Sequence, residues 1–168
     1  LLVRSGPAEL SFTSPFIQEV VLDMLTVEAG QSIHAAAARA IEVVFAGRTR
    51  EVAARLASHL FHSGERARAA QFFGESGAVR LRAGRFDEAA RDYARAIELA
   101  DLNGISPRDL AEWMHALAEA VRGTGKCADA EGLAAKTFEC IDATGDVRKR
   151  VQVRLDAAVI AEIGRAHV

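Results

Sequence analysis

A glycine followed five residues later by an alanine occurs three times at the junction between stretches of helical apolar spacing. The instances are Gly64 to Ala69, Gly84 to Ala89 and Gly125 to Ala130. The fullest phrase is Gly84-Arg85-Phe86-Asp87-Glu88-Ala89, followed by Tyr93 and Ala96. It returns as Gly125-Lys126-Cys127-Ala128-Asp129-Ala130, and in shorter form as Gly64-Glu65-Arg66-Ala67-Arg68-Ala69 with Phe73 behind it. Glycine reaches the left-handed backbone of a sharp turn without a Cβ penalty, and the alanine lets the next helix approach its predecessor closely. A chain punctuated in this way is constrained to fold back on itself as successive helices. The composition agrees: 34 of 168 residues are alanine, against 8 Phe, 1 Trp and 1 Tyr, which favours close helix packing over a sheet of β-branched residues.

The first thirteen residues differ from this pattern. Leu1 to Arg4 and Ala8 to Thr13 are short extended runs separated by Ser5-Gly6-Pro7, which predicts a small hairpin. Ser14-Pro15 supplies a helix start, and Phe16-Ile17, Val20-Val21 and Met24-Leu25 then recur at helical spacing, predicting a broad buried face. A second stripe from Gln31 runs through Ile33, Ala36-Ala37, Ala40-Ile41 and Val44-Phe45 to Gly47. Beyond it, Val52, Leu56 and Leu60 form one helix. Ala69, Phe72-Phe73, Gly77 and Leu81 form the next, and Phe86 to Ala100 another. Ser106-Pro107-Arg108-Asp109 combines an N-cap, a first-turn proline and an acid three residues after the cap. The helix it opens is expected to end at Gly123 and Gly125. Further helices are expected around Leu133 to Ile141 and Val147 to Ile163. The predicted fold is all-α, an antiparallel helix-pair solenoid with a short N-terminal β-hairpin. Residues 1–47 form a link and residues 48–168 the helical repeats.

The repeated phrase resembles the tetratricopeptide repeat, a helix-turn-helix unit. The best match runs from about Ala70 to Asn103, with Phe73 as the leading aromatic, Gly77 at the small position and Gly84 at the turn. Phe86, Ala89, Tyr93 and Ala96 fall in its second helix. Ser76 and Arg80 stand where a leucine and a tyrosine are usual. A second unit keeps Met114, Leu117, Ala118, Gly125 and Ala130. The stretch from Leu10 to Val21, followed by Ile33-His34-Ala35-Ala36-Ala37, resembles the end of the winged-helix module in bacterial signal-transduction ATPases of the STAND type. Such arms occur with LuxR-type DNA-binding or adenylate cyclase domains. The resemblance implies a non-catalytic arm of a larger regulator that binds a protein, a peptide or other domains of the parent chain. On the repeat's groove positions it places Arg82, Glu112, His115, Glu119, Arg122 and Arg154 as partner-binding residues on a concave face.

Other chemistry finds little footing in the residues. Gly123-Thr124-Gly125-Lys126-Cys127 has Ala120 where a phosphate-binding loop needs its first glycine, and Cys127 where it needs a hydroxyl. His59 and His62 lie three apart on one helix, but spacing places no third ligand beside them; His34 and His115 stand alone in the sequence. No catalytic set, metal site or cofactor is therefore expected. The chain has 21 basic and 23 acidic residues and only two cysteines, Cys127 and Cys140, which fits a reducing cytosol and a cytoplasmic location. No apolar run reaches the length of a membrane span. DNA recognition by the winged-helix-like segment is the alternative reading. It is weakened because residues 1–47 carry only Arg4 and Arg39 as basic groups. In residues 48–100 the basic excess is expected to be paired on helix surfaces, as in Asp87 with Arg91 and Asp92 with Arg95.

Overall fold

The computed structural model describes residues 2–6, 9–100, 105–126, 129, 130 and 132. Strands β1 (Leu2–Gly6) and β2 (Glu9–Phe12) pair antiparallel, with Leu2 opposite Phe12 and Arg4 opposite Leu10. Everything else of regular structure among the described residues is helical. The helices are α1 (Pro15–Asp23), α2 (Val27–Val44), a 3-10 turn (Thr49–Val52), α3 (Ala53–His62), α4 (Arg66–Arg82), α5 (Phe86–Ala100) and α6 (Pro107–Gly123). Helical backbone resumes at Asp129 and Ala130. The helices expected around Leu133 to Ile141 and Val147 to Ile163 lie outside the described residues.

Two helix starts follow from local side-chain chemistry. The Ser106 hydroxyl accepts the Asp109 N–H at 3.1 Å and donates to the Asp109 carboxylate at 2.8 Å, closing the start of α6 as its sequence predicts. Thr26 caps α2 by accepting the Ala29 N–H at 3.2 Å, so this helix begins four residues before the expected Gln31.

The three glycine phrases make one device, used three times. Gly64, Gly84 and Gly125 have φ of 88°, 71° and 86°. Each N–H donates three residues back, to Phe61, Leu81 and Arg122, at 2.9–3.1 Å. The following N–H groups of Glu65, Arg85 and Lys126 donate to the carbonyls of Leu60, Arg80 and Val121 at 2.9, 2.9 and 3.4 Å, completing a Schellman cap. The carbonyls of the same three residues then accept the N–H groups of Ala69, Ala89 and Ala130 at 2.9, 2.9 and 3.2 Å. One residue thus finishes one helix with its N–H and starts the next with its C=O. The alanines that follow are fully buried, as the notch in the sequence requires. α6 ends at Gly123, as expected, and the left-handed residue of the turn is Gly125.

Each helix from α2 to α6 packs chiefly on its neighbours in the chain, and α4 also touches α6. One core cluster joins Ala38 and Ile41 of α2 to Leu56 and Leu60 of α3, Ala69 and Ala70 of α4 and Leu99 of α5. A second joins Ala89 and Tyr93 of α5 to Ala120 of α6. Glycines set three close approaches between helices. A Cβ on Gly77 would meet the Tyr93 ring at 3.0 Å, one on Gly74 the Trp113 indole at 2.4 Å, and one on Gly123 the Phe86 ring at 2.5 Å.

The N-terminal helices depart from the burial their periodicity predicts. Phe16 and Met24 are 71% and 80% exposed, and Val20, Ile33, Val43 and Val44 are exposed as well. α1 packs against β2 and leaves Phe16 and Val20 uncovered, while α2 buries only Ala38 and Ile41 and leaves Ile33, Val43 and Val44 exposed.

Candidate functional site

A groove of about 500 Å³ runs between α4 and α6, with Tyr93 of α5 at its floor. Its walls are Gln71, Gly74, Glu75 and Ala78 from α4, and Asp109, Glu112, Trp113, His115 and Ala116 from α6. The spacing explains the set, since residues three and four apart share a helix face. Gly74 lets the Trp113 ring lie against α4, and Gly77 admits Tyr93 beneath. Burial, reinforced by the Glu119 carboxylate, pushes the Tyr93 hydroxyl up to about 12, so it stays a neutral donor at any physiological pH. Three carboxylates line this groove and no lysine or arginine does. Asp109 is engaged by Ser106, and Glu112 lies 3.6 Å from Arg108. Glu75 differs from both: its Oε2 is shielded from solvent and makes no hydrogen bond.

Of the partner-binding residues expected from the sequence, Glu112 and His115 line the groove. Arg82 and Glu119 are exposed on the same two helices, and both act electrostatically on Tyr93. Arg122 is half-buried near the end of α6, and Arg154 lies outside the described residues. Sequence reasoning missed Glu75, Gln71, Asp109 and Trp113 as groove residues. The spacing of Gln71 and Glu75 on α4 held a signal, but which face α4 turns to α6 is decided by Gly74, whose part in the packing was not read.

Ser76 and Arg80, the two departures from the tetratricopeptide pattern, meet at one place. The Arg80 guanidinium donates to the Asp92 carboxylate at 2.7 Å and lies 3.5 Å from Glu88, and Ser76 hydrogen-bonds to Asp92 as well. Asp92 is only 7% exposed. Burial raises its pKa despite these partners, because the desolvation cost outweighs what Ser76 and Arg80 return. The expected pairing of Asp92 with Arg95 is thereby corrected: Arg95 pairs with Glu98 and lies over the Phe61 ring, while Asp92 turns inward to α4.

His34 is not alone, as the sequence implied. α2 carries it to α3, where its Nδ1 lies 3.0 Å from the Nδ1 of His59 and its ring stacks on His62 with centroids 4.8 Å apart. His62 donates from Nδ1 to the Ser58 carbonyl at 2.8 Å. No group of three or more His, Cys, Asp or Glu among the described residues is arranged to hold a metal ion. Burial first, then repulsion from His62 at His34 and from His34 and Arg55 at His59, lower the pKa values of His34 and His59 below the ordinary 6.5. Two facing ring nitrogens can share one proton but not hold two, so the contact is lost when both rings are protonated. The unfolded chain therefore binds these protons more readily than the folded one. This contribution to stability is complete above the unfolded value and is lost as pH falls through the folded ones. The urea midpoint is expected to drop between about pH 7.5 and about pH 5, and His34→Gln to flatten that slope. A slope unchanged by the substitution would show that the pair does not set it.

The Gly123 to Lys126 turn spends its backbone donors on α6. The N–H of Thr124 goes to Ala120 and Val121, that of Gly125 to Arg122 and that of Lys126 to Val121, while the Thr124 hydroxyl donates to Val121 at 2.7 Å. These groups are therefore committed to the helix end and do not cradle an anion. No described helix is long and apolar enough to cross a membrane. No family model, curated protein or solved structure matches the chain.

Proposed function

We propose that the chain is a non-catalytic interaction arm of a larger bacterial signalling regulator, working in the cytoplasm. In this reading the helix pairs form a tetratricopeptide-like solenoid, and the β1–β2 ribbon is the hairpin that ends a winged-helix-like module. A partner protein, or another domain of the parent chain, docks on the face shared by α4 and α6. The observation that supports this most is the groove itself, since Gly74 and Gly77 let α4 lie against Trp113 of α6 and Tyr93 of α5 and a channel stays open between α4 and α6. Stacked helix pairs commonly present such a channel to extended segments.

The test is site-specific photo-crosslinking of the full-length protein in cells, with the crosslinker placed at Arg82 or Glu119 on the groove side, or at Arg91 or Glu98 on α5. All four side chains are exposed. The expected result is a discrete adduct from the first two positions and none from the last two. Equal labelling from both sides, or adducts from α5 alone, would refute the docking face.

A further inference from the structure

We infer that His34, His59 and His62 form an acid-operated catch, which holds the first half of α2 on α3 while the rings are neutral and releases it when they take up protons. This does not depend on the docking face between α4 and α6. α2 is seated unevenly. Its buried residues, Ala38 and Ile41, lie in its second half, where Glu42 also pairs with Arg68 of α4. Residues 27–37 include none that is buried, and there the ring of His34 meets His59 and His62 of α3. β1, β2 and α1 pack chiefly on one another, so the seating of α2 is what ties them to the helical stack. Letting go of its first half would uncouple the N-terminal elements from α3–α6.

The cluster has little tolerance for charge. At 3.0 Å, one Nδ1–H of the His34–His59 pair can donate to the other ring's lone pair, whereas two protonated rings would set two N–H donors face to face. His62, with its ring 4.8 Å from that of His34, acts on both, and Arg55 of α3 acts on His59 as a further cation. No carboxylate offsets them. Glu42 of α2 and Glu65 at the start of α4 are taken up by Arg68, and Glu51 of the 3-10 turn lies 3.7 Å from Arg48. Glu28 and Arg39 of α2, Arg50 of the 3-10 turn and Arg66 of α4 are exposed, with Arg66 over the Phe61 ring. Protonated rings are therefore better placed in water with α2 lifted from α3. Burial and repulsion hold the seated rings below the ordinary 6.5, so release grows as pH falls below that value. Linkage sets its steepness at up to about tenfold in the opening constant per pH unit for each ring.

The test is residue-resolved amide hydrogen exchange of the whole chain between about pH 7.5 and about pH 5.5, corrected for the intrinsic rates, with the ring signals of His34 and His59 titrated in the same samples. Protection at residues 31–37 is expected to fall by at least about fivefold on acidification, with its midpoint on the ring titration. Ile41 to Val44 and α5 should keep theirs within about twofold, which separates local release from loss of the whole fold. His34→Gln and His59→Gln should each remove most of the fall, since an amide can take up the hydrogen bond without titrating. No fall at residues 31–37, an equal fall in α5, a midpoint displaced from the ring titration, or the full fall in both variants would each overturn the inference. Where a variant is already open at pH 7.5, the coincidence of the two midpoints in the parent decides.

Discussion

Replacing Arg80 with alanine is expected to lower the unfolding free energy by about 2–4 kcal/mol, somewhat below the usual cost of stripping one partner from a fully buried ion pair because Arg80 is partly exposed. The loss comes from Asp92. With Arg80 gone, a carboxylate that is 7% exposed keeps only the Ser76 hydroxyl, and its desolvation is left largely uncompensated. Two features separate this from a simple loss of packing. The deficit should shrink as pH is lowered, because a protonated Asp92 costs less to bury than an ionised one. It should also be mostly recovered by the double replacement Arg80→Met with Asp92→Leu, since an apolar pair of similar volume needs no partner. Glu88 loses its 3.5 Å contact with Arg80 in the single and the double variant alike and keeps its bonds to Arg85 at 2.7 and 2.5 Å, so its share of the loss is common to both. Urea unfolding of the three proteins at two pH values checks all of this.

A second large effect is expected at the turns. Alanine placed together at Gly64, Gly84 and Gly125 should cost about 3–6 kcal/mol, at about 1–2 kcal/mol for each residue forced into the left-handed region. The three positions sit in separate turns, so their costs should add. No Cβ clash contributes at Gly84 or Gly125, where an added Cβ meets nothing within 4 Å, and at Gly64 the nearest atom is 4.0 Å away. The penalty is therefore one of backbone conformation. This distinguishes these glycines from Gly74, Gly77 and Gly123, whose φ values are helical and whose importance is the ring lying against each.

That distinction also marks what could be read in the sequence. The turns were legible because their information is local: a glycine, the residue after it and an alanine five positions on specify two caps and a notch within one short phrase. The start of α6 was legible for the same reason, since Ser106, Pro107 and Asp109 act on one another. Contacts between distant residues were not. Ser76 and Arg80 read as departures from a repeat, and only the packing of α5 on α4 shows that both serve Asp92. His34 read as isolated because its partners lie 25 and 28 positions away on α3. Glu75 carried no mark at all, being one acid among many on helix surfaces until the packing of α6 beside α4 made it part of a groove wall. The apolar stripe of α1 misled in the other direction. Periodicity identifies a face fit for burial and says nothing about whether a partner covers it, and Phe16 and Met24 are uncovered here.

The glycine hinges carry the account, because they hold α4 and α6 on one side of α5 and so create the groove. Their role is tested most directly by comparing alanine with asparagine at Gly64, Gly84 and Gly125 in two triple variants, unfolded in urea and followed by Trp113 emission. Asparagine adopts the left-handed conformation far more readily than alanine does, while filling more space. The account predicts that the asparagine variant recovers at least about half of the 3–6 kcal/mol lost by the alanine variant. Equal stability of the two variants, or an alanine variant as stable as the parent, would contradict it.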